Sequence, residues 1–391
     1  MTQTNDIKTP NNSVGKKDNK AFMILSALGI LFVVDEHLGR PISFLYDIFP
    51  YDSFYMPLFM FISGYFFNTK HCSKFKNFIL FSWNKIKKML TPYLLWIVFY
   101  GIFTSILRAL GIINFGKVSI SLLIHRILTY GTAFGFNDPS WFVPALFCVC
   151  VFYCLIRTFF KRIWNDTLSL LFFVLMGAYA VYLSNTGFNI ENHYYILKIM
   201  FFLQFYHLGF FFKKHIEKFF DKIPTILVCI STICINIVLL SIYQYDIRFP
   251  YCARMAGFFT NNLFLPLITS VTAIAFWLKI SKILAPALGN NKLVNFISDN
   301  TFFIMTHHLT ANALFNGLLI LLKKFGVKTF SAIDAVQFKK TAWYVFYGSP
   351  WCTLTGFLFT MLVTLFALQL FLFIKKRFFL YTNNLLQSLK K

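Results

Sequence analysis

From residue 21 onward the chain alternates long apolar runs with short polar intervals rich in lysine. The runs fall at 21–38, 54–68, 89–112, 140–160, 167–184, 196–212, 223–243, 256–278, 300–322 and 350–374. Most approach the roughly 17–25 residues that cross a hydrocarbon layer about 30 Å thick. None has the period-two alternation of a barrel strand, and an unpaired backbone amide is not tolerated in lipid, so each run predicts a helix. The expected fold is an all-α integral membrane protein of about ten transmembrane helices. Within the second run, Pro57 bends or starts a helix, and Ser63-Gly64 forms a small pair that lets another helix approach closely.

Composition agrees. The 391 residues are 58% hydrophobic and only 13% charged, about half the charged share of a soluble domain. Basic residues sort by side. If the N-terminus is cytoplasmic, that side holds the basic residues of the N-terminal tail, then Lys70, Lys74, Lys76, Lys85, Lys87 and Lys88, then Lys213, Lys214, Lys218 and Lys222, and those of the C-terminal end. This bias predicts both termini inside. The exception is the ninth connection, where Lys323, Lys324, Lys328, Lys339 and Lys340 crowd the opposite side. The net charge of +23 thus reflects topology and contact with anionic membrane lipid rather than nucleic acid. Residues 1–20 read as a disordered cytoplasmic tail, 21–378 as the membrane domain and 379–391 as a cytoplasmic C-terminal tail. A retained signal-anchor is expected at the first run. The eight cysteines form no paired or metal-ligand spacing and read as buried thiols.

Polar groups inside such runs are costly and mark candidate chemistry. Asp35-Glu36-His37 closes the first run. The imidazole of His37 can take a proton at neutral pH, and Asp35 or Glu36 could orient it, although helical geometry turns them about 200° and 100° away from it. A solvated interfacial turn fits the same three residues equally well. Trp141 opens the fourth run, as a belt residue or as a platform for a sugar ring. Arg254, just before the eighth run, and Asn262 within it could bind an anionic or carbonyl group, or Arg254 could snorkel outward. His307-His308 lie in the ninth run, where contact with an activated donor or a helix cap would explain them. No third ligand at metal spacing accompanies them. Counting rise along the helices puts His37 near the extracytoplasmic end and His307-His308 nearer the cytoplasm.

Five segments in order resemble the acyltransferase family 3 membrane proteins, in particular the fucose 4-O-acetylase-like and exopolysaccharide O-acetyltransferase branch. They are Ala27 to His37, Tyr55 to Phe67, Lys85 to Trp96, Ser140 to Phe147, and Ile297 to His308. The resemblance covers nearly the whole chain. It implies an O-acetyltransferase of the bacterial inner membrane with no bound cofactor. Acetyl-CoA would be the donor substrate and a hydroxyl of a cell-surface or lipid-linked glycan the acceptor, with a homo-oligomer as one compatible assembly. It also implies His37 as the catalytic histidine. Two positions depart from the family pattern. Ser26 stands where many members carry a basic residue, leaving Lys20 or another basic group to take its part, and Tyr55 stands where the branch often has histidine.

On this reading His37, oriented by Asp35 or Glu36, deprotonates the acceptor. Tyr55, Arg254 or Asn262 stabilises the oxyanion, and His307 and His308 meet the donor from the cytoplasmic side. The expected depth difference calls for a channel or an acyl-histidine relay. The rival reading is a polysaccharide exporter or proton-coupled transporter using the same histidines and carboxylates as a proton relay.

Overall fold

A computed structural model of the chain describes residues 19–42, 45–117, 119–188, 190–243, 262–327, 333–346 and 350–388. Among these, regular structure is entirely helical. In chain order the helices are α1 (Lys20–His37), α2 (Tyr51–Tyr65), α3 (Phe75–Lys85), α4 (Thr91–Ala109), α5 (Ile120–Tyr130), α6 (Phe142–Phe159), α7 (Asp166–Asn185) and α8 (Tyr194–Phe211). They continue as α9 (Glu217–Lys222), α10 (Thr225–Ile242), α11 (Leu265–Leu288), α12 (Lys292–Asp299), α13 (Thr301–Lys324), α14 (Ala335–Lys340) and α15 (Pro350–Ser388). Asparagine starts several of them. The side chains of Asn19, Asn165 and Asn291 accept the first free amides of α1, α7 and α12, as expected of a good N-cap.

Seven helical stretches are long and apolar enough to cross a membrane: 75–109, 120–159, 166–185, 194–222, 225–242, 265–288 and 351–378. The remaining expected spans, α1, α2 and α13, fall short of that measure. Helix α1 carries Lys20, Asp35 and Glu36, α2 has only 15 residues, and α13 interrupts its apolar run with Thr306-His307-His308, Asn312 and Asn316. These three are packed inside the bundle, where protein rather than lipid meets their polar groups. Helix α1 lies among α2, α11, α12 and α13, and nearly all of it from Ala21 to Asp35 is buried.

Helices α1 and α2 pack antiparallel through aromatic rings, Phe22 on Tyr65 at 3.9 Å and Phe32 on Tyr51 at 4.8 Å between centroids. Helix α2 then crosses α8 at very close range. A side-chain carbon at Gly64 would fall on the carbonyl of Tyr206, and one at Gly209 on the carbonyl of Phe61. The small pair expected to permit close helix approach does so, through Gly64.

Several boundaries differ from expectation, among them those at the far end of the chain. The eighth span begins at Leu265 rather than 256 and runs ten residues further, to Leu288, because apolar character continues past 278 and lysines at 279 and 282 do not break a helix. Buried Lys279 donates to the carbonyls of Ile223, at 2.8 Å, and Phe220. The last helix continues to Ser388, through most of the stretch expected as a tail. Helix α12 occupies residues expected to be a connection. Its lower end lies where α1 begins, with Gly289 against the Lys20 side chain, and it packs along α1.

At the Lys20 end of the bundle, Asp166 is surrounded. Its carboxylate accepts from Lys214 at 2.7 Å, Trp164 at 2.9 Å and Arg157 at 3.4 Å, and lies 3.1 Å from His215 Nε2. His207 bridges the Tyr153 hydroxyl and the Asp166 carbonyl, both at 2.9 Å. Every charge here has a partner, which fits a clamp joining α6, α7 and α8 rather than a reactive site.

Candidate active site

The two histidines expected at different depths are neighbours. The rings of His37 and His308 meet edge to face, 5.0 Å between centroids and 63° between planes. The reason is α12. Counted from Lys20, His37 stands about 25 Å up α1; counted from Lys292, His308 stands about 24 Å up α12 and α13. Starting the ninth span at residue 300 omits the climb already made by α12. Asn300, outside helical geometry (φ −121°, ψ 25°), joins the two pieces. The depth difference that called for a relay is therefore absent.

Both rings are held the same way. His37 Nδ1 lies 2.7 Å from the Val33 carbonyl, and His308 Nδ1 lies 3.1 Å from the Ile304 carbonyl. A carbonyl only accepts, so each Nδ1 carries a hydrogen, which leaves Nε2 as the nitrogen for proton exchange. His308 is fully buried, and its Nε2 has no hydrogen-bond partner among the described residues. His37 is half-buried, which leaves it reachable.

The acidic neighbours do other work. Asp35, buried, accepts from the Tyr51 hydroxyl at 3.1 Å and from the Ile42 amide at 3.2 Å. Glu36 pairs with Arg40 at 2.9 Å. They fix the turn after α1, while the Val33 carbonyl takes the orienting role expected of a carboxylate. The solvated-turn reading fails for Asp35, which is 1% exposed.

The remaining candidates scatter. His307, one residue from His308, faces α4: its Nδ1 lies 2.7 Å from the Tyr100 hydroxyl, and its ring lies 4.1 Å from those of both Trp96 and Phe303. Tyr55 lies in α2, half-buried between the two core clusters. Trp141 is buried, with the Lys198 amine 5.4 Å from its ring centre, so it is not a lipid-facing belt residue. Asn262 sits on an exposed turn before α11 rather than inside a span. It accepts from the Phe264 and Leu265 amides and donates to Tyr243. Arg254 lies outside the described residues.

Below the histidine pair is a cavity of about 590 Å³, within the roughly 300–1,000 Å³ usual for small-molecule sites. At its Lys20 end stand His71, Asn84, Lys85 and Lys88; further in are Ser26, Ile30, Phe59, Phe302 and Met305. A π-helical turn over Ile86–Leu90 joins α3 to α4 and brings Lys88 and Met89 to the wall. Burial, and then the charge of Lys85, hold the His71 imidazole below its ordinary pKa, so it lines the wall as a neutral ring at pH 7. Met305 precedes His308 by three residues, and Ile30 precedes His37 by seven. The inner end of the cavity thus points at the pair. Lys85 and Lys88 were legible as topological charge but not as cavity lining, because a π turn leaves no mark in a hydropathy pattern.

Above the pair, residues 333–346 form a roof tied to the same helix that carries His308. Asn312 donates to the Trp343 carbonyl at 2.8 Å, and Asn316 donates to those of Ala342 at 2.9 Å and Tyr344 at 2.7 Å. The Trp343 ring sits against Gly135 and Phe136.

Compared with known proteins, residues 24–372 match the acyltransferase family 3 model, described as an acyltransferase domain. No curated protein matches the chain. No solved structure matches it either.

Proposed function

The chain belongs to acyltransferase family 3, a multi-pass membrane protein with an acyltransferase domain, and from that premise we propose that it is an O-acyltransferase. It moves an acyl group, acetyl in the first instance, from cytoplasmic acyl-CoA to a hydroxyl of an extracytoplasmic or lipid-linked glycan. The observation that carries this reading is the cavity, basic at one end and running along α1 and α13 towards two histidines whose Nδ1 atoms are held by carbonyls of their own helices. The proposal includes the finer expectations of the sequence: ten spans with both termini cytoplasmic, a bacterial inner membrane, and the fucose 4-O-acetylase-like branch.

In this orientation the Lys20 end is cytoplasmic. The anionic phosphates of the donor rest at Lys85 and Lys88, which supply in the same cavity the positive charge that Ser26 lacks. The pantetheine arm lies between Ile30, Phe59 and Phe302, and the thioester reaches the pair. His37, the more accessible ring, removes the proton of the acceptor hydroxyl through Nε2. The alkoxide attacks the thioester carbonyl, the C–S bond breaks, and the imidazolium returns its proton to the leaving thiolate. The ring of His308 stands edge to face beside the imidazolium as it forms.

The test is transfer of labelled acetyl from acetyl-CoA in membranes containing the chain together with a cognate glycan fraction. Label in the glycan and stoichiometric free CoA are expected. Proton-coupled glycan movement with no CoA release would instead favour the transporter. Replacing Lys85 and Lys88 together by alanine is expected to raise KM for acetyl-CoA at least about tenfold, since each charge-assisted hydrogen bond contributes ~1.5–3 kcal/mol. The kcat should change little, because the lysines stand far from the reacting carbonyl. An unchanged KM would move the donor to another site.

A further inference from the structure

A short 3-10 segment, Gly135–Trp141, passes the histidine pair, and it holds two polar side chains that the fold itself does not use. Asn137 is fully buried, and neither its amide nitrogen nor its amide oxygen has a hydrogen-bond partner among the described residues; the same is true of the hydroxyl of Ser140, which is 1% exposed. Three other buried asparagines are engaged. Asn312 and Asn316 bind the roof, and Asn236 donates to the Ile48 carbonyl and accepts from Thr272. A buried amide left without partners is costly unless a ligand or water completes it.

The position of the segment says what it serves. At one end, the Thr310 hydroxyl donates to the Phe136 carbonyl at 3.4 Å. At the other, Phe142 and Val143 share the walls of the large cavity with Met305. Residues 137–141 therefore run alongside the part of α13 between Met305 and Thr310, which is the part that carries His308. Asn137 and Ser140 stand three residues apart in this short segment, both buried against the bundle. Asn137 itself leaves helical geometry (φ −121°, ψ 27°) and is followed by Pro139, which gives this short turn a stiff backbone. Lys198, buried with its amine over the ring of the adjacent Trp141, adds a basic group to the same neighbourhood.

We propose that Asn137 and Ser140 are catalytic residues that donate hydrogen bonds to the acyl carbonyl oxygen as it becomes an oxyanion. This rests on the acyltransferase reading of the His37–His308 site and takes over the role that the sequence pointed to at Tyr55, Arg254 and Asn262. As the acceptor oxygen bonds to the thioester carbon, the carbonyl π electrons move onto oxygen, where the Nδ2 hydrogen of Asn137 and the hydroxyl of Ser140 meet the charge. When they return, the C–S bond breaks and CoA leaves. Donors fixed before the reaction need no reorganisation, and removal of one such donor typically lowers kcat by about 10²–10³-fold.

The test uses the full-length chain in lipid nanodiscs with acetyl-CoA, hydroxylamine as a surrogate acceptor, and free thiol as the readout. Asn137→Leu keeps the branched shape and removes both donors and acceptors; Ser140→Ala removes the hydroxyl, and Ser140→Thr restores it. The expected result is a fall in kcat of about 100-fold for Asn137→Leu and about tenfold for Ser140→Ala, with recovery in Ser140→Thr. Acetyl-CoA binding should stay within about threefold, and the thermal midpoint should not fall, because an unpartnered amide contributes little to the fold. A kcat within about threefold of wild type in both variants would overturn the assignment, as would a parallel loss of kcat, donor binding and thermal midpoint, which is the signature of a packing role. A wild-type chain that neither binds nor cleaves acetyl-CoA would overturn the acyltransferase reading and this assignment with it. Turnover lost in His37→Ala but kept in Asn137→Leu would overturn the assignment alone.

Discussion

His37→Ala is expected to lower acyl transfer by about 10³-fold, with acetyl-CoA binding within about threefold of wild type. General base catalysis by a positioned side chain contributes about 10²–10⁴-fold, and no second base replaces it in kind. Asp35 is occupied by Tyr51 and the Ile42 amide, and Glu36 by Arg40. Among the described residues the ring packed against that of His37 belongs to His308, the more deeply buried of the two, which leaves His37 as the one that an acceptor reaches first. His308→Ala should therefore cost less, about 10- to 100-fold, because it removes a neighbour of the imidazolium and not the base. Both variants should retain the fold, since each imidazole is tied only to a carbonyl of its own helix. The check is labelled acetyl transfer at matched protein level, with size-exclusion profiles run alongside. If His37→Ala keeps more than a tenth of wild-type activity while His308→Ala is dead, the base is His308 and the roles reverse.

Gly64→Ala is expected to be the most damaging single methyl group that can be added to this bundle. The new carbon would fall on the backbone carbonyl of Tyr206, and a backbone carbonyl inside a helix cannot rotate out of the way as a side-chain terminus can. Relief requires α2 and α8 to separate. The same crossing is also held by Gly209 against the Phe61 carbonyl, so separation on one side strains the other. Overpacking of this kind costs about 1–3 kcal/mol where neighbours yield, and more where they do not. The expected outcome is loss of the monodisperse peak in detergent size-exclusion chromatography, or a drop of many degrees in thermal midpoint. Ser63→Ala, one residue away on the cavity wall, should leave both unchanged. A well-folded Gly64→Ala protein would mean that the two helices cross further apart.

Hydropathy made the helices readable because lipid or a buried core demands one long apolar segment after another; α1, α2, α4, α6, α7, α8, α10 and α13 begin and end within a few residues of where the pattern puts them. His37, the proposed base, was readable as an ionisable group at the end of such a segment. Its surroundings were not. Helix α12 is short and mixed in character, with Asn291, Lys292, Asn295 and Asp299 among its apolar residues, so it reads as a connection although it sets the depth of everything after it. Lys85 and Lys88 carry the same charge whether they face solvent or a cavity, and only the π turn decides between the two. Asn137 and Ser140 lie in a stretch with neither helical nor strand periodicity, where the burial of a polar side chain has no sequence signal. Conversely, Arg254 and Asn262 were singled out on the premise that the eighth span starts at 256. Asn262 lies on an exposed turn instead, because the helix starts at Leu265 and the asparagine oxygen accepts from the amides of Phe264 and Leu265 at its start.

The paired climb of α1 and of α12 with α13 makes the distance between the two imidazoles a matter of counting. Each ring is carried to its place by a helical column of nearly the same height, both rising from the plane where Lys20 meets Gly289. One residue added to or removed from α12 would move His308 by about 1.5 Å along its axis and swing it about 100° around it, away from His37 and towards another wall. Substitutions at most positions of Lys292–Asp299 leave that geometry alone, whereas a change in length does not. The segment acts as a ruler, and what it has to preserve is its number of residues.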